Sequence, residues 1–254
     1  MENVLWLYPL IFLSSFVLSM AGLGGGLIFA PLFVLVGFAQ SAAVASSLLL
    51  NALAATTASY VYIRKRMVDF SLSIPLIISS GLAAPIGAMC TRWVDESVFL
   101  GSMSLVLFLA AVRMMFVGSV AHEGTGAHVW SGTKVLQSSF LGLAIGFMAG
   151  MLGIGGGIFV VPLLIYLLQV HPRTAAATTA FIVCFSSYAG FATHVTVTQL
   201  DWKFLILAGV FSSAGGLAGS RLMSSRLSGV FVRKLFALIL FFLSLYLMYQ
   251  GVFI

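Results

Sequence analysis

Two short stretches carry the residue types and spacing from which a binding site could be built. Gly22-Leu23-Gly24-Gly25-Gly26 is followed by Pro31-Leu32, and Gly153-Ile154-Gly155-Gly156-Gly157 is followed by Pro162-Leu163. The two copies are offset by 131 residues, since 153 − 22 and 162 − 31 agree, and this is close to half the chain. Glycine costs a helix about 1 kcal/mol per residue against alanine, so each triplet predicts a break. The helix that restarts there has free N–H groups and a positive dipole end aimed into the break. Glycine lets that backbone adopt positive φ and approach a ligand closely, which is the chemistry of a small-anion cradle. Beside the breaks stand Ser46, Ser47 and Asn51, and Thr178 and Thr179, which can donate to oxyanion oxygens without bringing in a charge. The expected binding residues are therefore Gly24, Gly25, Gly26, Gly155, Gly156, Gly157, Ser46, Ser47, Asn51, Thr178 and Thr179. Close helix packing through the glycines, and hydrogen bonding between helices through the hydroxyls, would use the same residues.

The elements that must hold these residues are set by composition. Of 254 residues 61% are hydrophobic and 7% charged, with a mean hydropathy of +1.15. A soluble domain carries about 25% charged residues, so the reading is an all-α polytopic membrane protein. The net charge of +6 comes from twelve basic residues scattered over short loops, which form no patch for nucleic acid and instead suit the positive-inside rule.

In chain order, a hairpin of two short apolar runs is expected over 4–38, with its glycine turn at mid-membrane, followed by spans 41–63, 71–90 and 97–117. These make a first repeat, 1–117. A polar linker, 118–134, is followed by a second repeat, 135–254, with a hairpin over 135–170 and spans 174–193, 202–222 and 229–250. After the glycine turns the offset becomes 132: Val68-Asp69-Phe70 aligns with Leu200-Asp201-Trp202, Gly87 with Gly219, and Val98-Phe99 with Val230-Phe231. One hairpin plus three spans is an odd number of crossings, so the second repeat should be inverted. Placing 10 of the 12 basic residues inside, with Arg92 and Lys203 outside, puts both termini outside and points the two glycine turns at each other.

Other chemistries find little support. Cys90 and Cys184 lie in apolar segments without CxxC spacing. His122, Glu123 and His128 fit no standard metal-ligand spacing and read as a solvated linker, so no metal and no cofactor are expected. The chain has no GxSxG, no HExxH and no histidine centred in a span, which argues against an intramembrane hydrolase. No Asp or Glu falls within a full span, so a carboxylate proton relay is not expected; His171 and His194 are the titratable candidates near span ends. The start of the chain lacks a cationic region before its apolar run and reads as a helix of the first repeat, not a cleaved signal.

The duplicated GxGGGxxxxPL, together with Ala45-Ser46-Ser47-Leu48 and Ala176-Ala177-Thr178-Thr179-Ala180, resembles the sulfite exporter TauE/SafE family over nearly the whole chain. The resemblance implies a permease of a bacterial inner membrane, multi-pass with periplasmic termini, that carries sulfite, sulfoacetate or related sulfur oxyanions. Its motif positions here are Gly24, Gly25, Gly26 and Pro31, and Gly155, Gly156, Gly157 and Pro162. Gln40-Ser41 stands where the second half has His171-Pro172. Alternating access around a midplane anion site is the expected mechanism, with another small anion such as a carboxylate, or uptake instead of export, as the rival reading. Partners are expected to be that anion and the lipid bilayer.

Overall fold

The computed structural model describes residues 5–90, 132–152, 157–195 and 200–253, and short helical pieces between 101 and 116. The described chain is helical, with no strand among the described residues. Its long elements are α1 (Leu7–Met20), α2 (Gly26–Leu35), α3 (Gln40–Arg64), α4 (Phe70–Cys90), α5 (Gly132–Leu152), α6 (Gly157–Tyr166), α7 (Pro172–Val195), α8 (Trp202–Arg226) and α9 (Gly229–Phe253). The expected linker at 118–134, with His122, Glu123 and His128, lies outside the described residues except where α5 begins.

Length separates two kinds of helix. Ala42–Arg64, Pro172–Ala192, Trp202–Arg226 and Gly229–Tyr246 are long and apolar enough to cross a membrane. By contrast α1 has 14 residues and α2 has 10, which at 1.5 Å per residue reach only about 21 and about 15 Å of a core about 30 Å thick. Tyr8 near the start of α1 and Phe38 after α2 both pack on Phe204, with ring centroids 5.8 and 5.4 Å away. The chain thus enters and leaves this hairpin at one end of the bundle.

Helix α4 shows why the bundle belongs in lipid. Leu72, Leu76 and Ala83 are buried, whereas Ile78, Leu82 and Ile86 on the other face are 59%, 69% and 58% exposed. That ridge recurs every four residues, as one face of a helix does. Where it faces hydrocarbon it carries no desolvation deficit.

Glycine and serine faces bring the helices close. On α8, Gly215 and Gly219 lie against the backbone of Phe12 and Phe16 in α1, and on α5 Gly142 and Gly146 lie against Ser79 and Ser80 in α4. Both are small-xxx-small faces of the kind that lets backbones touch. Helices α3 and α7 cross at the centre, where Asn51 meets Ser187 and Thr56 meets Cys184.

One end of the bundle is tied by polar contacts. The Tyr62 hydroxyl in α3 donates to Ser19 O at 2.7 Å, and Arg173 at the start of α7 donates to Ser224 O in α8 at 2.6 Å. Asp69 caps α4, accepting at Oδ1 from Ser71 N at 3.0 Å, while its own N–H donates to Thr178 Oγ1 at 3.0 Å. The same end carries Arg64, Lys65, Arg66, Arg226, Arg233 and Lys234 near helix termini. Asp201, equivalent by the 132-residue offset, caps α8 by accepting from Lys203 N and Phe204 N, both at 3.1 Å.

Candidate functional site

The first glycine run ends one helix and starts another within five residues. Gly22 has φ +80°; its N–H donates to Ser19 O at 3.1 Å and that of Leu23 to Leu18 O at 2.9 Å. These are the two bonds of a Schellman stop, which requires the left-handed residue that glycine supplies. Gly24 is left-handed again, with φ +76°, and turns the chain back on itself. Gly25 O then accepts from Ile28 N at 3.2 Å, so α2 begins. A helix start leaves its first N–H groups without backbone partners.

Here those groups converge on one oxygen. Gly25 N–H and Gly26 N–H both donate to Asn51 Oδ1, at 2.6 and 2.8 Å. Both distances are at the short end for N–H···O bonds. The other side of the carboxamide donates from Nδ2 to Ser187 Oγ in α7 at 2.8 Å, and Ser47 Oγ donates to Gly26 O at 3.0 Å. The absence of side chains on the glycines is what admits Asn51: a Cβ on Gly24 would overlap Oδ1, and one on Gly26 would stand 2.8 Å from Asn51 Cγ. A Cβ on Gly25 would strike the Phe29 ring and come within 3.1 Å of Ser15 Oγ. The arrangement is a buried, uncharged cradle that holds an oxygen by paired backbone N–H groups at a positive helix end.

Of the expected site residues, Gly24, Gly25, Gly26, Ser47 and Asn51 are brought together here. Asn51 accepts from the glycines through Oδ1 and donates to Ser187 through Nδ2. Ser46, 2% exposed, is buried in α3 beside Ser47. Gly155 and Gly156 lie outside the described residues. Gly157 begins α6, and a Cβ there would strike Val183 and lie 3.6 Å from Leu23 Cδ2 and 3.8 Å from Thr179 Cγ2. A Cβ on Gly22 would collide with Ala176 O in α7. The first turn therefore packs directly on the start of α6 and on α7. Thr178 accepts from Asp69 N, as above. Thr179 Oγ1 is wholly buried and has no hydrogen-bond partner among the described residues.

Three participants escaped the sequence reading. Ser187 anchors Asn51, but its counterpart by the 132-residue offset is Ala55, so the repeat gives no signal for it. Phe29 walls Gly25, and Leu23 reaches α6. Among the described residues no group of three or more His, Cys, Asp or Glu could hold a metal ion.

Apolar helices of spanning length, with a broken helix buried among them, define a multi-pass helical membrane protein. The profile described as Sulfite exporter TauE/SafE matches residues 7–247. The chain belongs to this family, and it is a membrane transporter and not an enzyme. It is similar to a probable membrane transporter protein, YunE, of Bacillus subtilis, with 24% identity over 92% of this chain and 93% of the relative. A probable membrane transporter protein of Haemophilus influenzae is 24% identical over 85% of this chain and 83% of its own length. Another from Methanocaldococcus jannaschii is 24% identical over 42% of each chain. No solved structure matches the chain.

Proposed function

We propose that the protein moves a small sulfur-containing oxyanion, such as sulfite or an organosulfonate, outward across a bacterial inner membrane by alternating access. The anion site is formed where the starts of α2 and α6 approach each other. The observation that carries this reading is the pair of N–H groups of Gly25 and Gly26 converging on a single oxygen. An anion oxygen at that position would receive the same two donors and the positive end of α2. Among the described residues the groups bonded around it are uncharged, which keeps binding weak enough for release.

The two halves act as inverted repeats, 1–117 and 135–254, joined by the cytoplasmic linker 118–134. Helix packing supports this. Contacts occur between α1 and α8 and between α4 and α5, between α3 and α8 and between α7 and α4, and between α2 and α3 and between α6 and α7. Each pair becomes the other when the repeats are exchanged, and α3 against α7 maps onto itself. The end carrying Arg64–Arg66, Arg173, Arg226, Arg233 and Lys234 is the cytoplasmic one by charge, which leaves both chain termini periplasmic. Rocking of the halves then exposes the site to each side in turn.

The test is counterflow of radiolabelled sulfite into proteoliposomes with unlabelled competitors. Sulfite and sulfoacetate are expected to compete, and acetate and other carboxylates to fail. Stronger competition by carboxylates would transfer the assignment to a carboxylate permease.

A further inference from the structure

The two helix starts differ in a way the repeat makes visible. The residue equivalent to Asn51 in the second half, by the 132-residue offset, is Val183. Both stand against the first glycine of the restarting helix: Gly26 faces the Asn51 carboxamide, and Gly157 faces a Val183 methyl group. Valine has no acceptor, so the start of α6 receives no such oxygen from that position. Thr179 on α7, whose Cγ2 lies 3.8 Å from the Gly157 Cβ position, has a wholly buried hydroxyl with no partner among the described residues. The equivalent Ser47 hydroxyl is used, on Gly26 O at 3.0 Å. A glycine break that needed its asparagine for folding would be expected to have one in each copy.

We propose that Asn51 is a displaceable internal ligand. Its Oδ1 fills the anion cradle of α2 in the arrangement seen here, and the substrate oxygen takes that place when the carboxamide turns away. The inference rests on the anion-site reading above and deepens it by naming the residue that sets affinity and release. Asn51 suits the task because both halves of its carboxamide are engaged, Oδ1 by Gly25 and Gly26 and Nδ2 by Ser187 Oγ at 2.8 Å. Rotation about its side-chain bonds exchanges the glycines for an anion without unfolding either helix. Return of Oδ1 to the glycines competes with the bound anion and speeds its departure. Cys184 and Tyr188, the titratable side chains on either side of Ser187 in α7, contact Thr56. The groups bonded to Asn51 itself are uncharged.

The test compares wild type with Asn51→Val, the residue the second copy carries, and Asn51→Asp, using radiolabelled sulfite on purified protein in lipid nanodiscs and in proteoliposomes. Asn51→Val is expected to bind sulfite about tenfold more tightly, equivalent to about 1.4 kcal/mol, with both KM and kcat for transport reduced. In Asn51→Asp the carboxylate occupies the cradle as a tethered anion, so transport relative to wild type at the same pH falls as pH rises. It recovers on acidification, when the neutral carboxyl reproduces the carbonyl acceptor and the donor of asparagine. Weaker or unchanged sulfite binding by Asn51→Val, or a flat pH ratio for Asn51→Asp, overturns the inference while leaving the anion site standing. Failure of wild type to bind sulfite removes both.

Discussion

Gly26→Ala puts the cradle under the smallest useful perturbation. The added methyl would lie 2.8 Å from Asn51 Cγ, 2.9 Å from Nδ2 and 3.0 Å from Cβ, whereas non-bonded carbon atoms settle at about 3.5–4.0 Å. All three neighbours belong to one side chain, so relief comes by Asn51 withdrawing about 0.5–1 Å. The bonds from Gly25 N and Gly26 N, now 2.6 and 2.8 Å, would lengthen to about 3.1–3.6 and about 3.3–3.8 Å, from the long end of the useful range to beyond it. Each is worth about 1 kcal/mol net. Alanine returns up to about 1 kcal/mol through helix propensity. The net loss is about 1 kcal/mol, which for a chain of this size lowers Tm by about 3 °C. Differential scanning fluorimetry in detergent, with circular dichroism to confirm unchanged helix content, reads this directly. A variant as stable as wild type, or more so, would refute the reasoning, because propensity alone would then govern the position.

Gly22→Ala should be harsher: a non-glycine residue at φ +80° costs about 1–2 kcal/mol, and its Cβ collides with Ala176 O. A Tm at least as low as that of Gly26→Ala, with sulfite flux lost, is expected, and wild-type stability would contradict the turn geometry. Tyr62→Phe removes the bond to Ser19 O at 2.7 Å and should cost about 1 kcal/mol, visible as a lower Tm. If that bond also holds the basic end closed, hydrogen exchange at the C-terminal end of α1 should quicken in the variant, and unchanged exchange would mean it does not. Asp69→Ala strips the cap from Ser71 N and should destabilise by about 1 kcal/mol in the same assay.

Much of this was legible because its physics is local. The break between α1 and α2 follows from glycine's cost in a helix and its freedom at positive φ, and lies where the residues placed it. Four helices of spanning length follow from runs of apolar side chains, with α8 extending to Arg226, beyond the expected 222, since arginine near a helix end reaches the interface and leaves the backbone helical; the expected span 97–117 is described only in short pieces. Contacts across the repeats were not legible. A carboxamide carries a donor and an acceptor, and only the fold decides which side meets Gly25 and Gly26. Thr178 matches Ser46 by the 132-residue offset, and that it bonds Asp69 N is set by the fold and not by the repeat. Ser187 was invisible because its partner lies 136 residues away in sequence and its repeat counterpart is an alanine.

The central claim is that the α2 cradle carries a sulfur oxyanion outward. It is tested most directly by efflux of radiolabelled sulfite from proteoliposomes, first at zero potential and then with the interior negative, for wild type and for Gly25→Leu, whose side chain would run into Phe29 and Ser15. Exit of one negative charge gains about 2.3 kcal/mol per 100 mV. The account predicts wild-type efflux that accelerates with potential and a variant that inserts but carries no sulfite. Absence of wild-type efflux at either potential, or equal efflux in the variant, would contradict it.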